Sequence, residues 1–217
     1  QIKKIKSFIQ SSIKYSSVNP RKIIFIVALI SVILSSYPII FFGKSYLSPI
    51  GVASLYTTPP FVPGLETEEI VYENYRQSDI GATFWHSAPN SVAQNIAIFK
   101  DYEFPFWNRY VGFGTPLYGQ GQSMIGDILH WIPVSLESSA LSWDIKFILS
   151  KLIFSVGMGL LVFHLTNNLL AGSLIAISSC FLGFYAFRFN HPALTIITYA
   201  PWILLQWSRF GNVLAMP

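Results

Sequence analysis

The chain has 217 residues, of which 52% are hydrophobic, 16% aromatic and only 11% charged. A soluble domain carries about 25% charged residues, so this chain has too few charges to form the hydrated surface of a soluble domain. Its high apolar content excludes disorder. The single cysteine, Cys180, excludes an intrachain disulfide framework and a cysteine-rich zinc site. All ten acidic residues lie between Glu66 and Asp144. This uneven distribution is typical of a membrane protein and not of a nucleic-acid-binding protein.

Four apolar runs predict membrane-spanning helices, because a bilayer core about 30 Å thick needs about 20 apolar residues in a helix. They are residues 23–42, 147–165, 169–187 and 193–207. The fourth run is short and contains Pro201, which leaves open a tilted, broken or partly inserted helix. The third run is rich in small residues that let neighbouring helices approach closely: Ala171, Gly172, Ser173, Ala176, Ser178 and Ser179.

The basic residues predict the orientation of these helices. Segment 1–22 contains six basic residues, and positive flanks stay cytoplasmic, so the N-terminus is expected inside and residues 43–146 outside. The first run exceeds the ~7–15 apolar residues of a signal peptide, and we interpret it as a retained anchor. Segment 208–217 then begins a cytoplasmic region. Since the chain begins with Gln1 and stops after a hydrophobic hairpin, we expect it to be an N-terminal piece of a longer membrane protein.

The long outer segment 43–146 is expected to be folded but irregular, because it is rich in aromatic residues as well as in proline and glycine. Long connections of this kind are usually functional or disordered. Two short helices are expected at the membrane surface within it. The first is 92–99, capped by Asn90-Ser91, and the second is 123–131. The overall fold class predicted is an all-α integral membrane protein, a multi-span helical bundle with a large, partly helical first outer loop.

The most specific stretch is 104–123, which reads FPFWNRYVGFGTPLYGQGQS. Glycine permits close backbone approach to a ligand, aromatic rings offer flat faces, and Asn, Arg and Gln offer hydrogen-bond donors. This mixture suits a sugar or a phosphate headgroup at a membrane surface. A tightly turned structural loop with an aromatic belt would have the same composition.

The order PFWN…GxGxPLxxxxQ, after an upstream aspartate, resembles the first outer loop of bacterial GT-C-type membrane proteins, the YfhO-like group. The residues that match are Pro105, Trp107, Asn108, Gly112, Gly114, Pro116, Leu117 and Gln122. Asp79 stands where that family has an acidic residue after its first helix. The segments Arg188–Pro192 and Tyr199–Trp202 are similar to the family's connection between the third and fourth spans. The resemblance covers roughly residues 20 to 210, although the aromatic-Pro pair after the glutamine comes late, at Trp131-Ile132-Pro133.

The resemblance implies transfer of a sugar from a polyprenyl-phosphate donor to a glycan or lipid acceptor at the outer face of the bacterial plasma membrane. A carboxylate should then deprotonate the attacking hydroxyl, and we assign this role of general base to Asp79. Glu69 and Asp101 are the rival bases. Asp127 could face a cavity or simply cap a turn. The expected substrate-binding residues are Trp107, Asn108, Arg109, Gly112, Gly114, Pro116, Gln122, Arg188 and His191.

Arg109 and Arg188 are the residues expected to meet the donor phosphate, since a planar guanidinium suits phosphate oxygens. The alternative role for Arg188 is to extend its side chain to the phosphates of the surrounding lipids. The alternative role for His191 is a structural hydrogen bond. The histidines are not spaced like metal ligands, so no metal site is predicted. Binding of a divalent cation by carboxylates of the outer segment remains an open alternative. Lys151 is expected to extend outward along its helix, and His164 is given no role.

Two other functions are compatible with the sequence. A non-catalytic assembly subunit would use the aromatic loop as a docking surface. A transporter or flippase for a lipid-linked substrate would use broken helices and intramembrane polar groups, of which the apolar runs hold few. No nucleic-acid partner is expected, because the basic residues precede an anchor and do not decorate a folded face.

Overall fold

The computed structural model describes residues 19–47, 83, 87–119, 123–182 and 193–214, and these are mostly helical. This confirms a helical fold; a bundle with several membrane spans remains a proposal. The helices and strands are α1 (Pro20–Ser35), α2 (Tyr37–Phe42), α3 (Ala88–Asn95), β1 (Trp107–Asn108), β2 (Thr115–Pro116), α4 (Trp131–Ser135), α5 (Ala140–Thr166), α6 (Leu169–Ser179) and α7 (Ala193–Leu214).

Helix α5 is the centre of the bundle, and α1, α6 and α7 pack against it. It begins at Ser139, whose hydroxyl caps the backbone N–H of Ser142, and it ends at Asn167 in a left-handed conformation. Asn168 then caps α6 by accepting from the N–H groups of Leu170 and Ala171. Asparagine tolerates the left-handed conformation and is a good N-cap, so the pair Asn167-Asn168 makes this tight helical hairpin.

Glycines bring the three helices α1, α5 and α6 into close contact. A Cβ added to Gly159 would lie 2.8 Å from the Cβ of Ala176 and 2.9 Å from the carbonyl oxygen of Gly172. Ile24 of α1 packs into the same junction, fully buried. The expectation that small residues of the third apolar run permit close approach is therefore confirmed at Gly172 and Ala176.

The described residues contain one helix that is long and apolar enough to cross a membrane, α5, with a mean hydropathy of 1.9. The apolar run 23–42 is divided into α1 and α2 at Ser36, since Pro38 lacks the N–H that would continue the helix. Helix α6 is shorter than the predicted run 169–187, and residues 183–187 lie outside the described part of the chain. Helix α7 continues through Pro201 to Leu214, beyond the predicted end.

The two predicted surface helices differ from the observed ones. Helix α3 begins at Ala88, with Pro89 in its first turn, so Asn90 and Ser91 lie inside the helix and are buried. In the region predicted as a helix over 123–131, the 3₁₀ turn Ile128–His130 leads into α4, and no continuous α-helix spans the region. Buried polar side chains in both places form tertiary hydrogen bonds that the local pattern of apolar residues does not predict: Gln94 donates to the carbonyl of Ser123, and the Ser123 hydroxyl donates to the carbonyl of Leu117.

The expectation that Lys151 extends outward is wrong, because its side chain is buried within the bundle. The ammonium donates to the hydroxyls of Tyr46 (3.0 Å), Ser36 (3.3 Å) and Ser35 (3.4 Å). The break between α1 and α2 places both serines beside α5 at this level. Three hydroxyl oxygens thus satisfy the three donors of the lysine, which removes the need to reach water.

Candidate functional site

The motif around Trp107 forms a small antiparallel hairpin. Strand β1 pairs with β2, with Trp107 opposite Pro116 and Asn108 opposite Thr115. Two glycines in the turn have positive φ angles, 58° at Gly112 and 104° at Gly114. Side-chain-bearing residues avoid such angles, so glycine at these positions makes the turn possible. A Cβ on Gly114 would also lie 2.1 Å from the indole nitrogen of Trp107.

The hairpin exposes a group of aromatic and apolar side chains, which we call the aromatic crown. Phe113 at the tip is fully exposed, and Trp107 is 54% exposed. The rings of Phe106 and Tyr118 meet edge to face with centroids 5.7 Å apart. The other members are Phe104, Tyr110 and Val111. An exposed apolar group of this size is typical of an interaction site, whether for a ligand, a membrane or another protein.

The polar residues of the motif are engaged within the protein. Asn108 is buried, donates to the side-chain oxygen of Asn90 (3.2 Å) and accepts from the N–H of Tyr110 (3.0 Å). Arg109 pairs with Glu103 at 2.6 Å and with Asp101 at 3.6 Å. Asn108 therefore fixes the hairpin to α3, and a phosphate could reach Arg109 only in competition with two carboxylates.

The structure brings together six of the expected site residues, all of them in the hairpin: Trp107, Asn108, Arg109, Gly112, Gly114 and Pro116. The expected base Asp79 and the expected binding residues Gln122, Arg188 and His191 lie outside the described residues. Of the rival acids, Asp101 lies at the surface in its ion pair with Arg109.

A buried ion pair lies where the outer segment meets α5. The ammonium of Lys146 lies 3.0 Å from a carboxylate oxygen of Asp127, and both side chains are almost completely buried. The same ammonium donates to the sulfur of Met124 (2.9 Å) and approaches Nδ1 of His130 (3.3 Å). The second oxygen of Asp127 accepts from the hydroxyl of Tyr199 in α7 (3.0 Å) and from the N–H of Leu129 (3.1 Å). Asp127 thus caps the 3₁₀ turn and also binds two helices.

The hydrogen bonds around His130 determine which ring nitrogen carries the proton. Gln94 donates its amide to the carbonyl of Ser123 (2.8 Å), so its oxygen faces Nε2 of His130 at 2.9 Å. Nε2 must therefore carry the hydrogen, and Nδ1 accepts from Lys146. Burial, assisted by the positive charge of Lys146, lowers the pKa of His130 from 6.5 to about 2. The imidazole stays neutral at physiological pH.

These contacts make one buried network that joins α3, the 3₁₀ turn, α5 and α7; its members are Gln94, Ser123, Met124, Asp127, His130, Lys146 and Tyr199. The ammonium of Lys146 has three partners in this network, Asp127, Met124 and His130, so we interpret the network as a structural anchor for the outer segment. One feature of the sequence could have indicated this network: a charged residue at the start of an apolar helix needs a partner.

The neutral, buried His130 predicts that stability decreases in mild acid. In the unfolded chain its pKa returns to 6.5, so below pH 6.5 the unfolded state binds a proton that the native state does not bind until about pH 2. The stabilisation is therefore complete above pH 6.5 and is lost as the pH falls. Between pH 7.5 and 5 we expect about 2 kcal/mol of the free energy of unfolding to disappear.

Chemical denaturation in detergent at the two pH values measures this loss. The variant His130→Gln lacks the titrating group. Between pH 7.5 and 5 its free energy of unfolding should therefore fall by about 2 kcal/mol less than that of the original protein. Equal pH dependence in the two proteins would contradict the prediction.

Metal ligands are not grouped in the described part of the chain: no three side chains among His, Cys, Asp and Glu lie close enough to hold an ion. Comparisons of the chain with models of protein families, with curated proteins and with solved structures found no match. The geometry of the hairpin and of the bundle must therefore support any assignment of function.

Proposed function

We propose that this chain is part of a membrane-embedded glycosyltransferase of the GT-C kind, which takes its sugar from a polyprenyl-phosphate donor at the outer face. The observation that carries the proposal is the aromatic crown, fixed at one end of an apolar helical bundle by glycine turns and by Asn108. Flat, partly exposed rings are suited to stack on a sugar, and the fixed hairpin holds them at a constant height relative to the bundle.

The surface of the bundle supports the embedding in a membrane. Large apolar side chains on the helices face outward, including Leu34 (62% exposed) and Ile203 (64%). The interior, in contrast, contains Ser150, Lys151 and Ser155. A soluble protein hides its apolar side chains and exposes its polar ones, so this inverted arrangement favours lipid as the surrounding medium.

Two buried hydroxyls in and just before α3 support a polar ligand. The side-chain oxygens of Ser87 and Ser91 are buried and have no hydrogen-bond partner among the described residues. A buried hydroxyl without a partner costs about 1–3 kcal/mol, and a sugar hydroxyl would remove that cost.

The test is sugar transfer by the full-length protein in proteoliposomes that contain a polyprenyl-phosphate-linked, radiolabelled sugar. Asp79→Asn should lower the transfer rate at least about 100-fold with unchanged expression, because it removes the base and keeps the shape. Glu137→Gln is the matched control, since Glu137 is an exposed acid of the outer segment with no assigned role, and its rate should stay within about twofold. A fully active Asp79→Asn protein would remove Asp79 from the mechanism. Full activity in variants of all the outer acids would contradict the enzyme.

The aromatic crown also favours a second candidate, the non-catalytic assembly subunit. Phe113 at its tip is fully exposed, and Tyr110 in the same hairpin is 59% exposed. A docking role predicts that a stable partner protein copurifies with the original chain and is lost with Phe113→Ser, while no sugar is transferred. Transfer without a partner would exclude this candidate.

A further inference from the structure

A polar cavity of about 120 Å³ lies at the end of the bundle opposite the aromatic crown. Its walls come from the start of α1, the end of α5 and the last part of α7. The lining residues are Arg21, Leu160, Phe163, His164, Asn167 and Arg209. None of these residues belongs to the hairpin or to the buried network, so the cavity is independent of the proposed site of sugar transfer.

The cavity gathers positive charge without a counter-ion from its own helices. Arg21 and Arg209 approach it from different helices, and His164 adds a third basic group. The first 65 and the last 73 residues contain no acid, and the described acids lie at the outer end, up to Asp144 at the start of α5. Neither arginine forms an ion pair with any described residue. The charge is therefore available to a ligand.

The chemistry of the walls indicates a phosphate. Two guanidinium groups can each donate paired hydrogen bonds to phosphate oxygens, and the amide of Asn167 adds a further donor. Leu160 and Phe163 add apolar carbons to the same lining. Cations together with apolar carbons match a group that joins a phosphate to a glycerol ester.

We propose that this cavity binds the phosphate of an anionic phospholipid in the cytoplasmic leaflet. The inference rests on the membrane embedding proposed above, and not on sugar transfer. Under the positive-inside rule, the basic end of the bundle lies in the cytoplasm, at the depth of the lipid headgroups. Basic pockets between helices on this side of a membrane are typical sites for anionic headgroups.

Native mass spectrometry of the delipidated full-length protein tests the proposal, with phosphatidylglycerol as the anionic probe and phosphatidylcholine as the zwitterionic one. We expect the anionic lipid to bind at least about tenfold more tightly. Arg21→Gln or Arg209→Gln should remove most of that preference. Lys22→Gln is the matched control. This substitution removes one positive charge next to Arg21, and Lys22 does not line the cavity. Its affinity should stay within about twofold.

The outcomes separate the possible sources of the phosphate. The protein could bind inorganic phosphate, lose this binding in Arg21→Gln, and show no preference between the two lipids. That result would support a phosphate site and overturn the lipid as its ligand. Equal losses in Arg21→Gln and Lys22→Gln would overturn the site, since diffuse charge would then explain the binding. Arg21→Lys checks for misfolding, and it should keep more affinity than Arg21→Gln because it keeps the charge.

Membrane insertion is measured separately, by resistance of the protein to extraction with alkaline carbonate. A protein that is extracted would contradict the embedding itself. A protein that resists extraction and binds both lipids equally would contradict only the anionic lipid as the ligand of the cavity, and it would leave sugar transfer untouched.

Discussion

Replacing Lys146 by methionine should lower the free energy of unfolding by about 3–5 kcal/mol. Methionine has a similar length and is apolar, so the change removes the charge with little change in volume. It takes the ammonium of Lys146 away from the buried carboxylate of Asp127, which still accepts from the hydroxyl of Tyr199 and the N–H of Leu129. A buried charge that loses its counter-ion keeps its full desolvation cost, and this cost is the source of the large effect.

The double variant Asp127→Asn/Lys146→Met should recover much of the lost stability, because it removes both charges. Denaturation in detergent of the two single variants and the double variant gives the coupling energy of the pair. Arg109→Met is the matched control: Arg109 and Glu103 also form an ion pair, but both are exposed. Exposed pairs contribute about 0–1 kcal/mol, so this variant should be nearly as stable as the original. If Lys146→Met were equally mild, the buried network could not be the anchor of the outer segment.

The apolar helices could be predicted from sequence because their signal is local. A run of apolar residues determines where a helix such as α5 can form, and the pair Asn167-Asn168 determines where it turns. Composition also indicated a turn around Gly112 and Gly114, and both glycines have positive φ angles. In each case the residue and its structural consequence lie within a few positions of each other.

The buried network could not be predicted, because its members are distant in sequence. Gln94 and His130 are 36 residues apart, and Tyr199 and Asp127 are 72 apart. Nothing near Lys146 in the sequence distinguishes a lysine that reaches the headgroups from one that binds Asp127. The same difficulty explains Lys151, whose partners Ser36 and Tyr46 lie more than 100 residues away. Only the packing of the helices decides which lysines are buried.

The role of Arg109 illustrates why a motif predicts position better than chemistry. The motif predicted an arginine beside a sugar or phosphate, and the hairpin does bring Arg109 to the surface. The two carboxylates that engage it, Asp101 and Glu103, come from the segment just before the motif. A side chain that forms exposed ion pairs can exchange partners at little cost. The geometry is thus compatible with a phosphate that displaces them, and the transfer assay addresses that step.

Replacing Gly159 by alanine should destabilise the bundle by about 1–3 kcal/mol, although alanine is the better helix former. The added Cβ would lie 2.7 Å from Ile24 of α1, 2.8 Å from Ala176 and 2.9 Å from the carbonyl oxygen of Gly172. All three distances are well below van der Waals contact, and one involves backbone, which cannot rotate away. The helices α1 and α6 must therefore separate from α5, and the contacts around the junction are lost.

Gly211→Ala is the matched control, since Gly211 is also helical and a Cβ there would meet nothing within 4 Å. Helix propensity acts alone at this position, so the variant should be as stable as the original or more stable by up to about 1 kcal/mol. Thermal unfolding in detergent, followed by circular dichroism, compares the two. Opposite signs at Gly159 and Gly211 are expected because propensity is equal at both sites and only packing differs. Stabilisation by Gly159→Ala would mean that α1 and α6 do not approach α5 as closely as Gly172 and Ile24 indicate.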